Sequence, residues 1–170
     1  MITLVPFERV THAVMEELKV RLLEVFAAEV GSVPPIVIPL WTYEPLRGQY
    51  NAHSLLQVLQ EGKGHERILG IVDRDLFVPR LNFVFGVADP VGHRALIALP
   101  RLQQGFYNLP PDPSLFLLRT VKEAVHELGH TGGLEHCPDP RCVMYFSNSL
   151  ADTDQKDYQF CPRCRTKITF

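Results

Sequence analysis

No stretch of this chain stays apolar over the roughly 18 residues that a membrane-spanning helix requires, so no membrane partner is expected. Basic charge is not in excess either. The formal net charge of -2 leaves no electrostatic footprint for nucleic acid, which is therefore not expected as a partner. The opening residues, Met1-Ile2-Thr3-Leu4-Val5-Pro6-Phe7-Glu8-Arg9, lack the charged start, long apolar stretch and small-residue cleavage site of a secretory leader. They read as a strand, and a cytoplasmic protein is the default expectation. Repeats and low-complexity tracts are missing. Cysteine is scarce, at four residues, and in a reducing compartment a tight cluster of them points to a metal site over a disulfide framework. What is present is ordinary for one globular unit. Over 170 residues, 46% hydrophobic and 21% charged, a full core can be buried, and a monomer is expected.

Along the chain, Ile2–Phe7 reads as a first strand. Thr11 can cap a helix whose apolar positions Val14, Leu18, Leu22, Val25 and Phe26 recur at helical spacing, ending before Gly31. Residues 36–42, between Pro34-Pro35 and Pro45, read as a second strand. Residues 51–61 read as a helix stopped by Gly62, and Arg67–Val72 as a third strand, apolar enough for both faces to be buried. Residues 83–88 and 95–99 read as a fourth and a fifth strand. The turn at Asp89-Pro90-Val91-Gly92 favours an antiparallel hairpin between them. Residues 101–111 read as irregular. Asp112 caps, and Pro113 opens, a long helix with the stripe Leu115, Leu118, Val121, Val125 and Leu128. From Gly132 onward Gly, Pro and Cys dominate, with one short helix expected over 153–158 under an Asp152 cap. Residues 1–131 thus read as a mixed α/β body and 132–170 as a small tail with little core of its own, within a single domain.

The chemistry is concentrated in His126-Glu127-Leu128-Gly129-His130-Thr131-Gly132-Gly133-Leu134-Glu135-His136. Positions four apart share a helix face, so His126 and His130 can offer two imidazoles to one ion. Glu127 lies one step around, where a carboxylate can act as general base without becoming a ligand. Were the helix to continue, His136 would sit about 240° round the axis from His130 and miss the ion. Gly132-Gly133 removes that obstacle, because glycine accepts positive φ and lets the chain turn back. Three protein ligands, one open position and a base beside it are what catalytic zinc needs. Met144 follows His136 by eight residues, where a polarisable thioether can fill the space beneath the histidines. Tyr145 beside it reads as a packed aromatic, with donation to a developing oxyanion as the alternative.

A second cluster has the pattern Cys137-x4-Cys142 and Cys161-Pro162-Arg163-Cys164. That is the spacing of a closed four-thiolate zinc site, and it makes this metal structural. Two Zn2+ ions per chain are therefore expected, one catalytic and one structural. The cysteine site would staple the C-terminus to the turn carrying His136 and supply folding energy to a tail with few apolar residues.

With a methionine following HExxHxxGxxH and four cysteines around it, the chain resembles the archaemetzincins, a metzincin family of zinc metalloproteases. Arg47-Gly48-Gln49-Tyr50, Asp73-Arg74-Asp75-Leu76 and Phe83-Val84-Phe85-Gly86 also resemble family segments. The resemblance implies a zincin-like fold: a twisted, mixed five-stranded sheet with one antiparallel edge strand, a backing helix and an active-site helix. It implies that the edge strand lines the cleft, so Phe83, Val84, Phe85, Gly86, Val87 and Ala88 become candidate docking positions for extended peptide. It further implies a Met-turn at Met144. The function expected is a peptidase acting on peptides or small proteins through metal-activated water, with Glu127 as general base. The alternatives are a non-catalytic zinc- or peptide-binding module and a zinc amidase acting on a non-peptide substrate. An intact Glu127 favours a hydrolase over a binding module.

Overall fold

A computed structural model describes residues 1–170. Its elements are β1 (Ile2–Phe7), α1 (His12–Phe26), β2 (Val30–Ser32), β3 (Tyr43–Glu44), β4 (Gln49–Asn51), α2 (Ala52–Val58) and β5 (Arg67–Val72). After these come β6 (Leu76–Phe77), β7 (Gly86–Asp89), β8 (Arg94–Ala98), α3 (Pro113–Thr131), α4 (Leu150–Gln155) and α5 (Pro162–Arg165). The main sheet has the order β2-β1-β5-β8-β7. Its pairings are parallel except at the edge, where β7 runs antiparallel to β8 with Gly86 opposite Ile97 and Asp89 opposite Arg94.

Alternation along the central strands splits the core in two. Ile2, Leu4, Leu69, Ile71, Ala95 and Ile97 face α1 and α3, while Val5, Phe7, Ile68, Val72, Leu96 and Ala98 face α2. Helix α1 fits the sheet because Val14, Leu18, Leu22 and Val25 fall on one buried stripe, and Thr11 caps its first turn by accepting from the Val14 N–H. Helix α3 is different. From Arg119 to Gly129 every residue is buried, so this half is enclosed on all sides, whereas Leu118 stays 39% exposed. The stripe expected from Leu115 onward therefore begins a turn later. Residues of the tail, including Leu134, Val143, Met144 and Phe160, join the same core as α1 and α3. No helix is long and apolar enough to cross a membrane.

Several expectations need correction. Residues 36–42 are not a strand: Ile36 makes a single bridge to Phe7, and Leu40–Thr42 is a 3-10 turn. Pro34, Pro35 and Pro39 remove the N–H donors a ladder would need. The strand beside β1 is instead β2, three residues around Gly31. A small second sheet, β3-β4-β6, was not anticipated. Helix α2 ends at Val58, short of Gly62. The fourth strand of the main sheet begins at Gly86, so Phe83, Val84 and Phe85 precede it as a rim. Helix α4 starts at Leu150 under a Ser149 cap, with Asp152 serving as the acidic half of the capping box.

Candidate active site

The buried half of α3 runs beneath β7 and β8 and opens onto a cleft of about 710 Å³. His126, Glu127, His130 and His136 line it, as do Phe83, Val84, Phe85, Gly86, Val87 and Ala88. Gly86 permits the close approach. A Cβ there would lie 2.6 Å from Glu127 Cγ and 2.7 Å from the Leu96 carbonyl oxygen, so only glycine lets the edge strand pass over the carboxylate. Tyr145 is absent from the lining, whereas Phe146, Ser147 and Asn148 contribute to it.

The third histidine arrives by the expected route. Helix α3 ends at Thr131, and Gly133 adopts φ +83, which turns the chain so that Leu134 N–H returns to the Gly129 carbonyl at 3.1 Å. The His136 ring then faces those of His126 and His130, with centroids 5.3 and 4.9 Å away, and leans on Phe146. Met144 is fully buried, and its carbonyl accepts from Cys137 N–H at 2.9 Å.

The protons decide what this cluster can hold. His126 Nδ1 lies 2.8 Å from the Val143 carbonyl oxygen, and His130 Nδ1 lies 2.7 Å from that of Leu134. A carbonyl only accepts, so each Nδ1 carries the hydrogen. Burial, above all, lowers the pKa of both rings, His126 most, and so keeps them neutral. Each Nε2 is then a bare lone pair, yet the two stand 3.2 Å apart. Two acceptors at that distance repel unless an electrophile lies between them. The donor atoms of His126, His130 and His136 all lie within 4.8 Å of one another, and three imidazole nitrogens suit zinc.

Glu127 is 6% exposed. Burial, reinforced by the Glu123 carboxylate one turn back, pushes its carboxyl up to about 8, while Lys156 pulls the other way. Sequence reasoning missed both neighbours. Glu123 shares the face of α3 with Glu127, a spacing that could have flagged it. Lys156, fully buried, meets Glu123 Oε1 at 3.1 Å as a charge contact without an aligned hydrogen bond, and Thr153 Oγ1 donates to the same oxygen at 3.3 Å. Alongside, Arg119 grips Asp154 through two bonds of 2.7 and 2.6 Å, and Lys122 donates to the Thr153 carbonyl. Together these contacts fasten α4 to the active-site helix.

Cys137, Cys142, Cys161 and Cys164 also bring their donor atoms within 4.8 Å of one another, and none is in a disulfide. The Cys137 and Cys161 sulfurs are 3.8 Å apart. Cys161 N–H donates to Cys142 Sγ, and Arg163 donates to Cys137 Sγ. Burial raises the Cys142 and Cys164 thiols. Hydrogen bonds from the Cys164 N–H and the other thiols outweigh burial at Cys161 and bring it down to about 7. Four crowded sulfurs with one already acidic suit a tetrahedral thiophilic ion.

Comparison with known proteins agrees with this chemistry. The model of peptidase family M54 matches residues 5–169. An archaemetzincin from Methanocaldococcus jannaschii is 42% identical over 164 residues, covering 96% of this chain and 89% of the relative. The crystal structure of an archaemetzincin from Archaeoglobus fulgidus, complexed with malonate, superposes with a TM-score of 0.87 at 39% identity, covering 98% of this chain and 99% of that one. A zinc-dependent peptidase from Methanocorpusculum labreanum superposes with a TM-score of 0.88 at 31% identity, covering 99% and 100%.

Proposed function

Since this chain belongs to peptidase family M54 and is a zinc metallopeptidase, we propose that His126, His130 and His136 hold its catalytic zinc and that Glu127 is the general base. We infer a second, structural zinc at Cys137, Cys142, Cys161 and Cys164. What supports the first assignment above all is the pair of unprotonated Nε2 atoms 3.2 Å apart. The residues fit the group, and zinc when bound supplies Lewis acidity that polarises a scissile carbonyl and acidifies water.

The chain's own residues do the rest. Glu127 presents its carboxylate at the cleft, where it takes a proton from the attacking water and passes it to the leaving amine. One carboxylate placed between water and leaving group can serve both halves of that transfer. The outer edge of β7 has no strand beyond it, so its free backbone groups can pair with an extended peptide laid along Gly86, Val87 and Ala88. Phe83, Val84 and Phe85 continue that wall as the rim. Residues 1–131 and 132–170 act as upper and lower parts of one catalytic unit, with Met144 as the floor beneath the histidines.

The test combines stoichiometry with one substitution. Metal-replete protein should contain two zinc ions by elemental analysis. Glu127→Ala should keep both and hydrolyse peptides about 10²–10⁴-fold more slowly, the usual loss on removing a positioned base. Equal rates for parent and variant would overturn the role of Glu127. Absence of turnover on every peptide in a mixed library would favour a non-catalytic zinc- or peptide-binding module, with a zinc amidase acting on a non-peptide substrate as the other alternative.

A further inference from the structure

Two of the three family-like segments, 47–50 and 73–76, and the 101–111 loop take no part in the metal geometry. The structure gathers them behind one rim of the cleft. Arg47 donates through Nη2 to the carbonyls of Leu81, at 2.7 Å, and Asn82, at 3.0 Å. Gln49, 6% exposed, accepts from Arg47 Nε at 3.0 Å and donates to the Asn82 carbonyl at 2.9 Å and to Asp75 Oδ2 at 3.0 Å. Asp75 is held from its far side by Arg101, whose Nε and Nη2 donate to the two carboxylate oxygens at 2.6 and 2.8 Å. The Arg101 guanidinium lies over the Phe83 ring at 4.2 Å and the Phe106 ring at 4.7 Å. The loop closes back through Tyr107, whose hydroxyl donates to the Arg101 carbonyl at 3.1 Å.

The rim needs such support. Between β6 and β7 the chain makes one bridge, Leu76 to Val84, and Leu81 and Asn82 are exposed. No ladder fixes their carbonyls. Side-chain donors do so instead, in a relay whose strongest member is the bidentate, charge-assisted Arg101–Asp75 pair. None of the four side chains lines the cleft, yet Leu81, Asn82, Phe83, Val84 and Phe85 all do. The relay touches the wall and not the reacting centre.

We propose that Arg47, Gln49, Asp75 and Arg101 are positioning residues for substrate, which hold the 81–85 rim in its peptide-receiving shape before a peptide arrives. The inference rests on the peptidase reading of the same cleft. A rim ordered in advance spares a bound peptide the entropy of ordering it, so the relay acts on affinity. A relay that merely stabilised the fold would lower zinc content and kcat and leave KM in place.

The experiment uses full-length, zinc-replete protein carrying Asp75→Asn, Gln49→Ala or Arg101→Lys, with a pool of quenched-fluorescence peptides as probe. Asp75→Asn keeps the shape but loses the charge, and Arg101→Lys keeps the charge but loses the fork. Asp75→Asn should raise KM by about tenfold with kcat within about twofold, the pattern of lost substrate positioning. The same substitution placed on Glu127→Ala should weaken equilibrium binding of the peptide pool by the same factor. Amides of residues 81–85 should exchange faster in all three single variants, with Arg101→Lys the mildest. Unchanged KM and binding, or a fall in kcat alone, would overturn the proposal. So would unaltered exchange at the rim. Should the parent turn over no peptide, the peptidase reading fails, while the binding and exchange measurements still decide this one. Gln49→Ala carries the same expectation if Asp75→Asn fails to fold.

Discussion

His136 and Cys137 are neighbours in sequence, yet one donor faces an open cleft and the other a closed knot of sulfur. In the histidine cluster burial falls off from His126 to the exposed His136, and the donors are three. In the cysteine cluster three of four ligands are buried and the donors are four. Three nitrogens leave a coordination position free for chemistry, and four thiolates leave none. The two also differ in what holds them. The histidines depend on support from outside: carbonyls of Val143 and Leu134 on their Nδ1 atoms, and the enclosed half of α3 beneath. The cysteines come from the loop after His136 and from the short helix α5 with its N-cap, and a metal gathered there would itself be the support. An open site must be held by the fold, whereas a closed one can hold the fold.

That contrast can be broken from either side. The largest effect is expected for His130→Ala, which should abolish turnover and leave one zinc per chain by elemental analysis, the cysteine site being untouched. A variant with two zinc ions and parental activity would remove His130 from the site. Cys164→Ser attacks the other cluster. It should lower the melting temperature by roughly 10 °C or more and make amides beyond Gly132 exchange rapidly, with activity lost through a displaced His136. Parental melting with both metals retained would show that the sulfur knot supports nothing. Lys156→Met leaves the Glu123 carboxylate buried without its partner, a defect that typically costs about 3–5 kcal/mol. Denaturant unfolding should show that loss, and adding Glu123→Gln should recover most of it. No recovery would mean Lys156 acts by packing alone. The smallest effect is expected at Glu127, the carboxylate proposed as base. Gly86→Ala, whose new methyl would crowd Glu127 Cγ, should slow turnover by about tenfold through misplacement while zinc content stays at two. Loss of zinc in that variant would instead place the strain on the histidines.

Much of the frame was legible because its signals are local. Strand β1, strand β5, the Thr11 cap of α1 and the Asp112-Pro113 opening of α3 each rest on residues a few positions apart. So does the histidine motif, in which helical spacing and one positive-φ glycine specify the geometry. Less local features were missed. Strands β3, β4 and β6 are two or three residues long, too short to show a period, and β6 pairs with β4 from a distant part of the chain. Residues 36–42 are apolar enough for a strand, but the prolines around them veto the ladder. The Ser149 cap was hidden because Asp152, the acidic half of its capping box, looks like a cap itself. Nothing near Lys156 in sequence announces that it pairs with Glu123, since the pairing depends on α4 docking against α3.

Strand β7 has one more consequence. An edge with no strand beyond it is available to a strand from another molecule as well as to a peptide, and such pairing is the usual seed of aggregation. Here the hazard is limited by length. The strand is four residues long, Asp89 at its end is drawn back by Arg94 and by the Gly92 N–H, and Pro90 beyond it has no N–H to offer. A visiting strand can form only a few ladder bonds before the edge runs out. The same shortness that disfavours edge-to-edge pairing would, on the proposed docking mode, limit how firmly the edge grips a peptide backbone, so that release of cleaved fragments would follow from the length of one strand.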